Sequence, residues 1–334
     1  MSHPAERTLP PENSRRPQDT LADTPTGQNT SACLTAEEAF HAKLRELRSL
    51  KVFSWNLWFG GREIDDAAAK QAAVLNAQDA DIVLLQECFG TAGMRLGRTA
   101  GMTVAQQDFN CAVLSAAPVR LLPTETAPFA TAALVQTRMG DVLAWSVHLA
   151  SADYGPYRAG DFPEAAEDVF AQAGEQQRTV QAEHVLAETH RLLEELGDAP
   201  VVIAGDFNVP SSLDWNGEHS PAAQWPAPQR FMGDGFTDAF RAVHPDPGAS
   251  PGLTWSQIEL RETEPRDRID FIYVKGLEVV EADHLGGAAD SADTREDAGF
   301  TEYGGICRHI PDHRNNAFPS DHLAVRATLR HPGT

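Results

Sequence analysis

Several segments of this sequence place a carboxylate, an amide or an imidazole where an apolar run stops. The run 201–204 ends at Gly205 and Asp206, with Asn208 and Pro210 close behind, and the run 82–85 delivers Gln86 and Glu87. Asn56 lies near the end of another apolar stretch, His148 lies in the run 143–149, Asp270 interrupts 268–274, and Asp321-His322 precede the apolar segment 323–325. Carboxylates beside histidines can move protons, and hard oxygen ligands suit a divalent cation. Each residue also has a plainer explanation. Asp206 and Asn208 fit a turn closed by Pro210, Glu87 fits the start of a surface loop, His148 fits a packed histidine, and Asp270 fits an ion pair with Arg268.

These residues need elements to position them, and the apolar patterning supplies candidates. Continuous β-branched and aliphatic runs at 51–58, 81–85 and 201–205 read as buried strands, and strand ends are where α/β proteins gather chemistry. Further strands are expected over 104–115, in a hairpin over 132–150, at 253–256 and at 268–274. Helices are expected at 35–50, opened by Thr35 and Glu38 in a capping-box pattern, and at 65–78, 164–196 (broken near Gly174) and 236–243. The stretch 211–226 reads as a long loop able to shape substrate binding, with Asp214 and Trp215 as candidate contacts. Tyr157 and Arg158, in a Gly/Pro/Tyr-rich loop after the His148 strand, are candidates for phosphate contact. Residues 282–298 read as an acidic mobile loop. Residues 1–32, rich in Pro, Ser, Thr and Asn, read as a flexible tail ahead of a single domain over 33–334.

Composition narrows the class. In 334 residues, 27 Lys+Arg face 48 Asp+Glu, a net charge of -21. Such a field repels polyanions, which counts against a general DNA binder and suits carboxylates gathered around divalent metal. No window approaches the roughly 18 apolar residues of a membrane span, and the N-terminus lacks a secretory apolar core, so a soluble, cytoplasmic protein is expected. The 4 cysteines (Cys33, Cys88, Cys111, Cys307) are scattered without a CxxC pair, which points to free thiols rather than zinc or disulfides. Nothing in the sequence specifies an oligomeric state.

The order and contexts of these residues are Trp-Asn-Leu-Trp at 55–58, Leu-Gln-Glu at 85–87, Val-His-Leu at 147–149, Gly-Asp-Phe-Asn-Val-Pro at 205–210, Arg-Ile-Asp-Phe-Ile-Tyr at 268–273 and Pro-Ser-Asp-His at 319–322. Together they resemble the endonuclease/exonuclease/phosphatase superfamily over 51–329. The resemblance implies a DNase-I-like α/β fold, a four-layered sandwich of two mixed β-sheets packed face to face with helices outside. It implies divalent-metal-dependent hydrolysis of a phosphate ester by in-line attack of water. Glu87, Asn56 and Asp321 would form the metal side, with Mg²⁺ or Mn²⁺ as cofactor. His148, Asp206, Asn208, Asp270 and His322 would be catalytic, Asp270 fixing the tautomer of His322. The regions after Asp206 and before Tyr303 hold few Lys or Arg, which favours a small or lipid-like phosphoester. A nuclease acting on DNA or RNA is the alternative, and a binding module without turnover is the reading from another class.

Overall fold

Apolar runs that are buried on both faces sort themselves into central strands, and the other strands add outward from them. The computed structural model describes residues 43, 48–218, 220–261, 263–288 and 299–333. Its strands are β1 (Ser49–Asn56), β2 (Ile82–Gln86), β3 (Thr103–Ala105), β4 (Ala112–Ser115), β5 (Val119–Leu122), β6 (Ala130–Thr137), β7 (Gly140–His148), β8 (Val201–Asp206), β9 (Thr237–Asp238), β10 (Asp270–Lys275), β11 (Glu278–Gly286), β12 (Phe300–Glu302) and β13 (Ala324–Arg330). The helices are α1 (Ala67–Asn76), α2 (Ala92–Ala100), α3 (Ala166–Phe170), α4 (Ala173–Leu196), α5 (Pro226–Gly233) and α6 (Ala239–Val243).

One sheet runs β12-β11-β13-β1-β2-β4-β3 and the other β5-β6-β7-β8-β10-β9. Both are mixed, since β1 and β2, β7 and β8, and β11 and β12 pair in parallel among otherwise antiparallel neighbours. Between the sheets lie Val52, Ile82, Leu84 and Val113 from one, and Val135, Ala144, Val202, Ala204 and Ile272 from the other. Alternate residues of the same strands point outward. Phe53, Trp55, Val83 and Leu85 pack on α1 and α2, whereas Trp145, Ile203, Phe271 and Tyr273 pack on α4 and α5. The period-two alternation of β1, β2 and β8 therefore serves two cores at once, and the result is the four-layered sandwich expected.

The register collects the strand ends. His148 of β7 stands opposite Asp206 of β8, and Asp206 stands opposite Asp270 of β10. In the other sheet Asn56 of β1 is level with Gln86 of β2, so Glu87 emerges one residue later. Gln86 ties the sheets together at this end. Its Nε2 donates to Ser54 Oγ (3.2 Å) and to Ser146 Oγ (3.0 Å), and Ser146 Oγ donates to the Leu85 carbonyl (2.7 Å).

Several expected elements differ. Ser49 and Leu50 begin β1, since they pair with β13, so a helix cannot extend to residue 50; residues 1–42 and 44–47, with the expected tail and most of that helix, lie outside the described residues. The expectation of a mobile loop over 282–298 fails at its start, because β11 runs to Gly286 and pairs with β13; residues 289–298 are outside the described residues. The expected strand at 253–256 is only an isolated bridge, with Trp255 opposite Asp267 and His322. Helix α5 starts where the loop expected over 211–226 ends, with Pro226 at its first position, where proline's fixed φ is favourable and its missing N–H costs nothing. Among the described residues no helix is long and apolar enough to cross a membrane.

Gly205 shows how tightly β7 and β8 approach. Its φ is +152°, and an added Cβ would lie 1.8 Å from the Val147 carbonyl oxygen. Gly205→Ala is expected to lower the unfolding free energy by about 3 kcal/mol in urea titration. Gly101→Ala, at the end of α2 with φ +67° and open space around it, should cost only about 1–2 kcal/mol.

Candidate active site

Asp206 is the hub. Its Oδ2 accepts from Asn56 Nδ2 (2.9 Å), its Oδ1 accepts from the Asn208 backbone N–H (2.8 Å), and His148 Nε2 and His322 Nε2 lie 3.6 and 3.7 Å from Oδ2. His322 Nδ1 is 2.9 Å from Asp270 Oδ2. A carboxylate beside carboxylates accepts here, so Nδ1 carries the proton and Nε2 is turned to Asp206. Thr254 Oγ1 accepts from the Asp270 backbone N–H (3.1 Å), and Ser320 Oγ donates to the Asn56 carbonyl (2.7 Å) while accepting from His322 N (3.1 Å). That serine pins the Asp321-His322 turn to the end of β1.

The opposite imidazole is oriented by a residue the sequence did not single out. Asn110 Oδ1 accepts the Glu87 backbone N–H at 3.1 Å and lies 3.1 Å from His148 Nδ1. An oxygen there accepts only, so His148 holds its proton on Nδ1 and presents Nε2 to Glu87 Oε1 (3.9 Å) and Asp206. Asn110 sits in irregular chain before β4, where no periodicity marks it. Trp255 is the other residue missed. Its indole N–H donates to Asp321 Oδ2 (2.9 Å), a contact no linear pattern reveals.

Glu87 is held by backbone as much as by side chains. Phe59 N–H donates to Oε2 (2.5 Å) and Asn56 Nδ2 to Oε1 (3.3 Å), while Asn56 Oδ1 accepts from Trp58 N–H (2.9 Å). These donors come from a left-handed stretch, Trp58 (φ 50°), Phe59 (φ 52°), Gly60 and Gly61. Glu87 (φ 51°), Phe89 (φ 36°) and Asn208 (φ 51°) are left-handed too. Such non-glycine positions cost on the order of 1–3 kcal/mol each and are characteristic of functional sites.

The electrostatics follow from burial. Desolvation works against the His322 cation, but Asp270, Asp206 and Asp321 outweigh it and hold the imidazole's pKa well above its usual value. Asp206 is pushed up by burial and by Asp270, with His322 and His148 pulling the other way. Burial lifts Asp321 to about 6, against the opposing pull of His322 and of the Trp255 hydrogen bond, and nearby Glu87 adds to the rise.

A hard divalent cation fits this set. Among the described residues, the ligand atoms of Asp206, Asp270 and His322 lie within 4.8 Å of one another. That trio, however, is already joined by a hydrogen bond, and a protonated His322 has no lone pair to offer. Among the described residues, Asp321 Oδ1 and Asp270 Oδ1 are buried carboxylate oxygens that make no hydrogen bond. Asp321 Oδ1 is therefore an uncommitted oxygen that could bind a cation, and Glu87, whose Oε1 and Oε2 already accept from Asn56 and Phe59, keeps further lone pairs for one. Asn56 orients the Glu87 and Asp206 carboxylates instead of offering its own oxygen, which Trp58 N–H occupies.

The expected substrate contacts separate. Asp214 is bound to Arg241 Nε (2.6 Å) and Arg268 Nη2 (2.8 Å), and Trp215, 5% exposed, packs on Phe162 and Trp225 and donates to Asp267 (2.9 Å). Both are structural, because their polar atoms are spent inside the fold. Arg268 pairs with Asp214 and Asp238, so the plainer explanation of Asp270 fails as well. Arg158 is paired with Asp161 (2.5 Å). Tyr157 is 56% exposed and donates to Glu264 (2.6 Å), at the outer end of an aromatic row running through Tyr154 and Trp255 to His322. Asn208 donates its amide to the Leu149 carbonyl (3.0 Å), beside the hub.

Comparison with known proteins agrees with this architecture. A model of the Endonuclease/Exonuclease/phosphatase family matches residues 53–322. An uncharacterized protein of Caenorhabditis elegans is 28% identical over 316 residues, covering 88% of this chain and 95% of its own length. The structure of D. rerio TDP2 complexed with single strand DNA product is similar with a TM-score of 0.52 at 17% identity, over 84% of this chain and 99% of that one. The human Nocturnin catalytic domain with bound sulfate anion gives a TM-score of 0.50 at 16% identity, over 85% and 95%. At these identities the solved structures speak for the fold.

Two outcomes are expected. The folded-state pKa of Asp321 lies above its unfolded value, so the ionised residue costs stability, from nothing below the ordinary carboxylate range to its full value above pH of about 6. Asp321→Asn should therefore stabilise the metal-free chain at pH 7 by roughly 2 kcal/mol, lose that gain in acid, and abolish most of the thermal shift that Mn²⁺ gives the unmodified chain in calorimetry. Asp214→Ala should cost about 2–3 kcal/mol in chemical unfolding, since it takes one carboxylate partner from each of the buried Arg241 and Arg268 while Arg268 keeps Asp238, yet leave the specific activity of the folded fraction unchanged.

Proposed function

The chain belongs to the Endonuclease/Exonuclease/phosphatase family, and on that premise we propose that it is a divalent-metal-dependent phosphodiesterase or phosphatase acting on a small or lipid-like phosphate ester. The observation carrying this reading is the convergence of Asn56, Glu87, His148, Asp206, Asp270, Asp321 and His322, from strands of both sheets, on one end of the sandwich. Metal-dependent phosphoester hydrolysis is the coarse activity that the family carries. The substrate class is our own extension, and it rests on charge. The chain has a net charge of -21, and the cations near Tyr157 are neutralised locally, Arg158 by Asp161 and Arg261 by Glu259 and Glu264. A long polyanion would find little to hold.

The residues divide the work of in-line attack. Glu87 and Asp321 would hold Mg²⁺ or Mn²⁺, which when bound would supply neutralisation of the phosphoryl charge. His322 keeps its proton because Asp270 and Asp206 favour the imidazolium, which suits it to stabilise charge developing on phosphorus-bound oxygen. Asp206, buried and held by Asn56 and Asn208, takes the proton of the attacking water. Its upward shift makes it a better base than a solvated carboxylate. His148, its Nδ1–H held by Asn110, would give the leaving oxygen the Nε2 proton when the ring carries both protons. Asp270 orients the His322 imidazolium and Asn110 orients the His148 ring, and both are positioning residues.

A second reading, a nuclease, draws support from the D. rerio TDP2 neighbour, whose structure holds single strand DNA product. The two readings separate in one assay series. The purified chain should hydrolyse bis-p-nitrophenyl phosphate or p-nitrophenyl phosphate with Mg²⁺ or Mn²⁺, and lose that activity to chelator. Asp206→Ala and His322→Ala should each lower kcat by about 10²–10⁴-fold. Turnover that ignores chelator would sink the metal role. Efficient degradation of DNA or RNA that falls steeply with salt would replace the small-ester reading by the nuclease one.

A further inference from the structure

We propose that Phe59, Phe89 and Phe109 form an apolar ledge beside the metal side of the site, and that this ledge takes the hydrocarbon substituent of the phosphoester. The inference rests on the phosphoester reading above and narrows its substrate class to esters bearing an alkyl or acyl chain.

Position is the first argument. The backbone N–H of Phe59 is a donor to Glu87, Phe89 follows Glu87 by two residues, and Phe109 precedes Asn110, which holds both Glu87 and His148. The two loops are laced together by Cys88 N–H to the Asn110 carbonyl (2.9 Å) and Gly90 N–H to the Phe109 carbonyl (3.0 Å). A group bound at Glu87 therefore has this ledge as its neighbour, on the same piece of backbone.

The rings make a continuous row. Phe59 and Phe89 have centroids 5.5 Å apart, and Phe89 and Phe109 5.9 Å. Phe59 is 45% exposed and Phe109 50% exposed, with Phe89 half-buried between them. Single exposed apolar residues are ordinary, but a contiguous row at the edge of a polar site marks a binding surface. Strain points the same way. Phe59 and Phe89 are both left-handed, a conformation disfavoured for bulky side chains, so the fold holds these rings where their own backbone preference would not.

Chemistry selects the occupant. Phenylalanine offers no hydrogen-bonding atom with which to read a base edge. The rings are tilted by 47° and 44° to their neighbours, so the row is corrugated and lacks the parallel faces that a planar base would stack between. A flexible hydrocarbon chain can follow such a surface. The acidic body disfavours a second or third phosphate and leaves a hydrophobic monoanionic or dianionic ester as the matching ligand.

The test is binding, so it does not depend on turnover. Titration calorimetry with methyl, butyl and octyl phosphate, in Mg²⁺ or Mn²⁺ and below the micelle concentration, should show Kd falling about twofold per methylene, half of the free energy that full burial would give. Phe89→Ala/Phe109→Ala should flatten this dependence without changing methyl phosphate affinity or the thermal midpoint, and Phe109→Leu should retain most of it. If the double variant unfolds, Phe109→Ala alone serves, with a smaller loss of slope. A flat series in the unmodified chain, or a slope that survives these substitutions, overturns the ledge. So does adenosine monophosphate binding more tightly than octyl phosphate and weakening in the same variants, which would make the row a base platform. If methyl phosphate fails to bind with metal while octyl phosphate binds through the ledge, the phosphoryl site is what fails and the ledge stands.

Discussion

The carboxylates of Glu87, Asp206, Asp270 and Asp321 are crowded into one end of the sandwich, and the surrounding structure is arranged to keep them there. Burial penalises each charge and their mutual repulsion adds to the cost, as the raised pKa values of Asp206 and Asp321 register. The compensation is specific. His322 supplies a cation, Asn56 donates to two carboxylates, backbone N–H groups of Phe59 and Asn208 donate to two, and the Trp255 indole donates to another. Carboxylate oxygens on Asp270 and Asp321 still lack a partner among the described residues. Under the proposed function a divalent cation would occupy these oxygens, so metal binding, local stability and the protonation of His322 belong to one problem.

Packing makes that crowding achievable. Parallel pairing of β7 with β8 and antiparallel pairing of β8 with β10 set His148, Asp206 and Asp270 in a single row, and β1 with β2 brings Asn56 and Glu87 up from the facing sheet. Gln86, bonded to serines of both sheets, fixes how the sheets sit at this end. A slip of one residue in any of these strands would turn its terminal side chain away. Strain in the loops is the remaining contribution. The left-handed turn after β1 aims backbone donors at Asn56 and Glu87, and the same turn sets Phe59 at the rim, so ligand orientation and ledge share one cause.

Much of this was legible in the residues. The abrupt ends of the runs at Glu87 and Asp206 marked strand termini, because apolar alternation and β-branched composition are local signals that survive folding, whereas the strands expected to continue through Asn56 to 58 and through His148 to 150 stop at those residues. The demand that buried Asp270 find a partner was also readable, as the desolvation of a strand-embedded charge does not depend on topology; its partner is His322. Asp214 and Trp215 misled for a related reason. A charged residue and an aromatic in a long loop look available for substrate, yet each is captured by groups distant in sequence, Arg268 and Arg241 for one, Phe162, Trp225 and Asp267 for the other.

What the sequence by itself determined is therefore the set of strand ends, their chemistry, the family they resemble and the acidic character of the chain. Tertiary structure alone decided which oxygens are satisfied and which are left over, that Asn110 and Trp255 belong to the site, that Asp214 does not, and that Phe59, Phe89 and Phe109 stand together. The division has a physical origin. Strand propensity and burial of a run are set by neighbours along the chain, whereas a tautomer, an orphaned lone pair or a row of exposed rings is set by atoms brought within a few ångströms only when the two sheets close on each other.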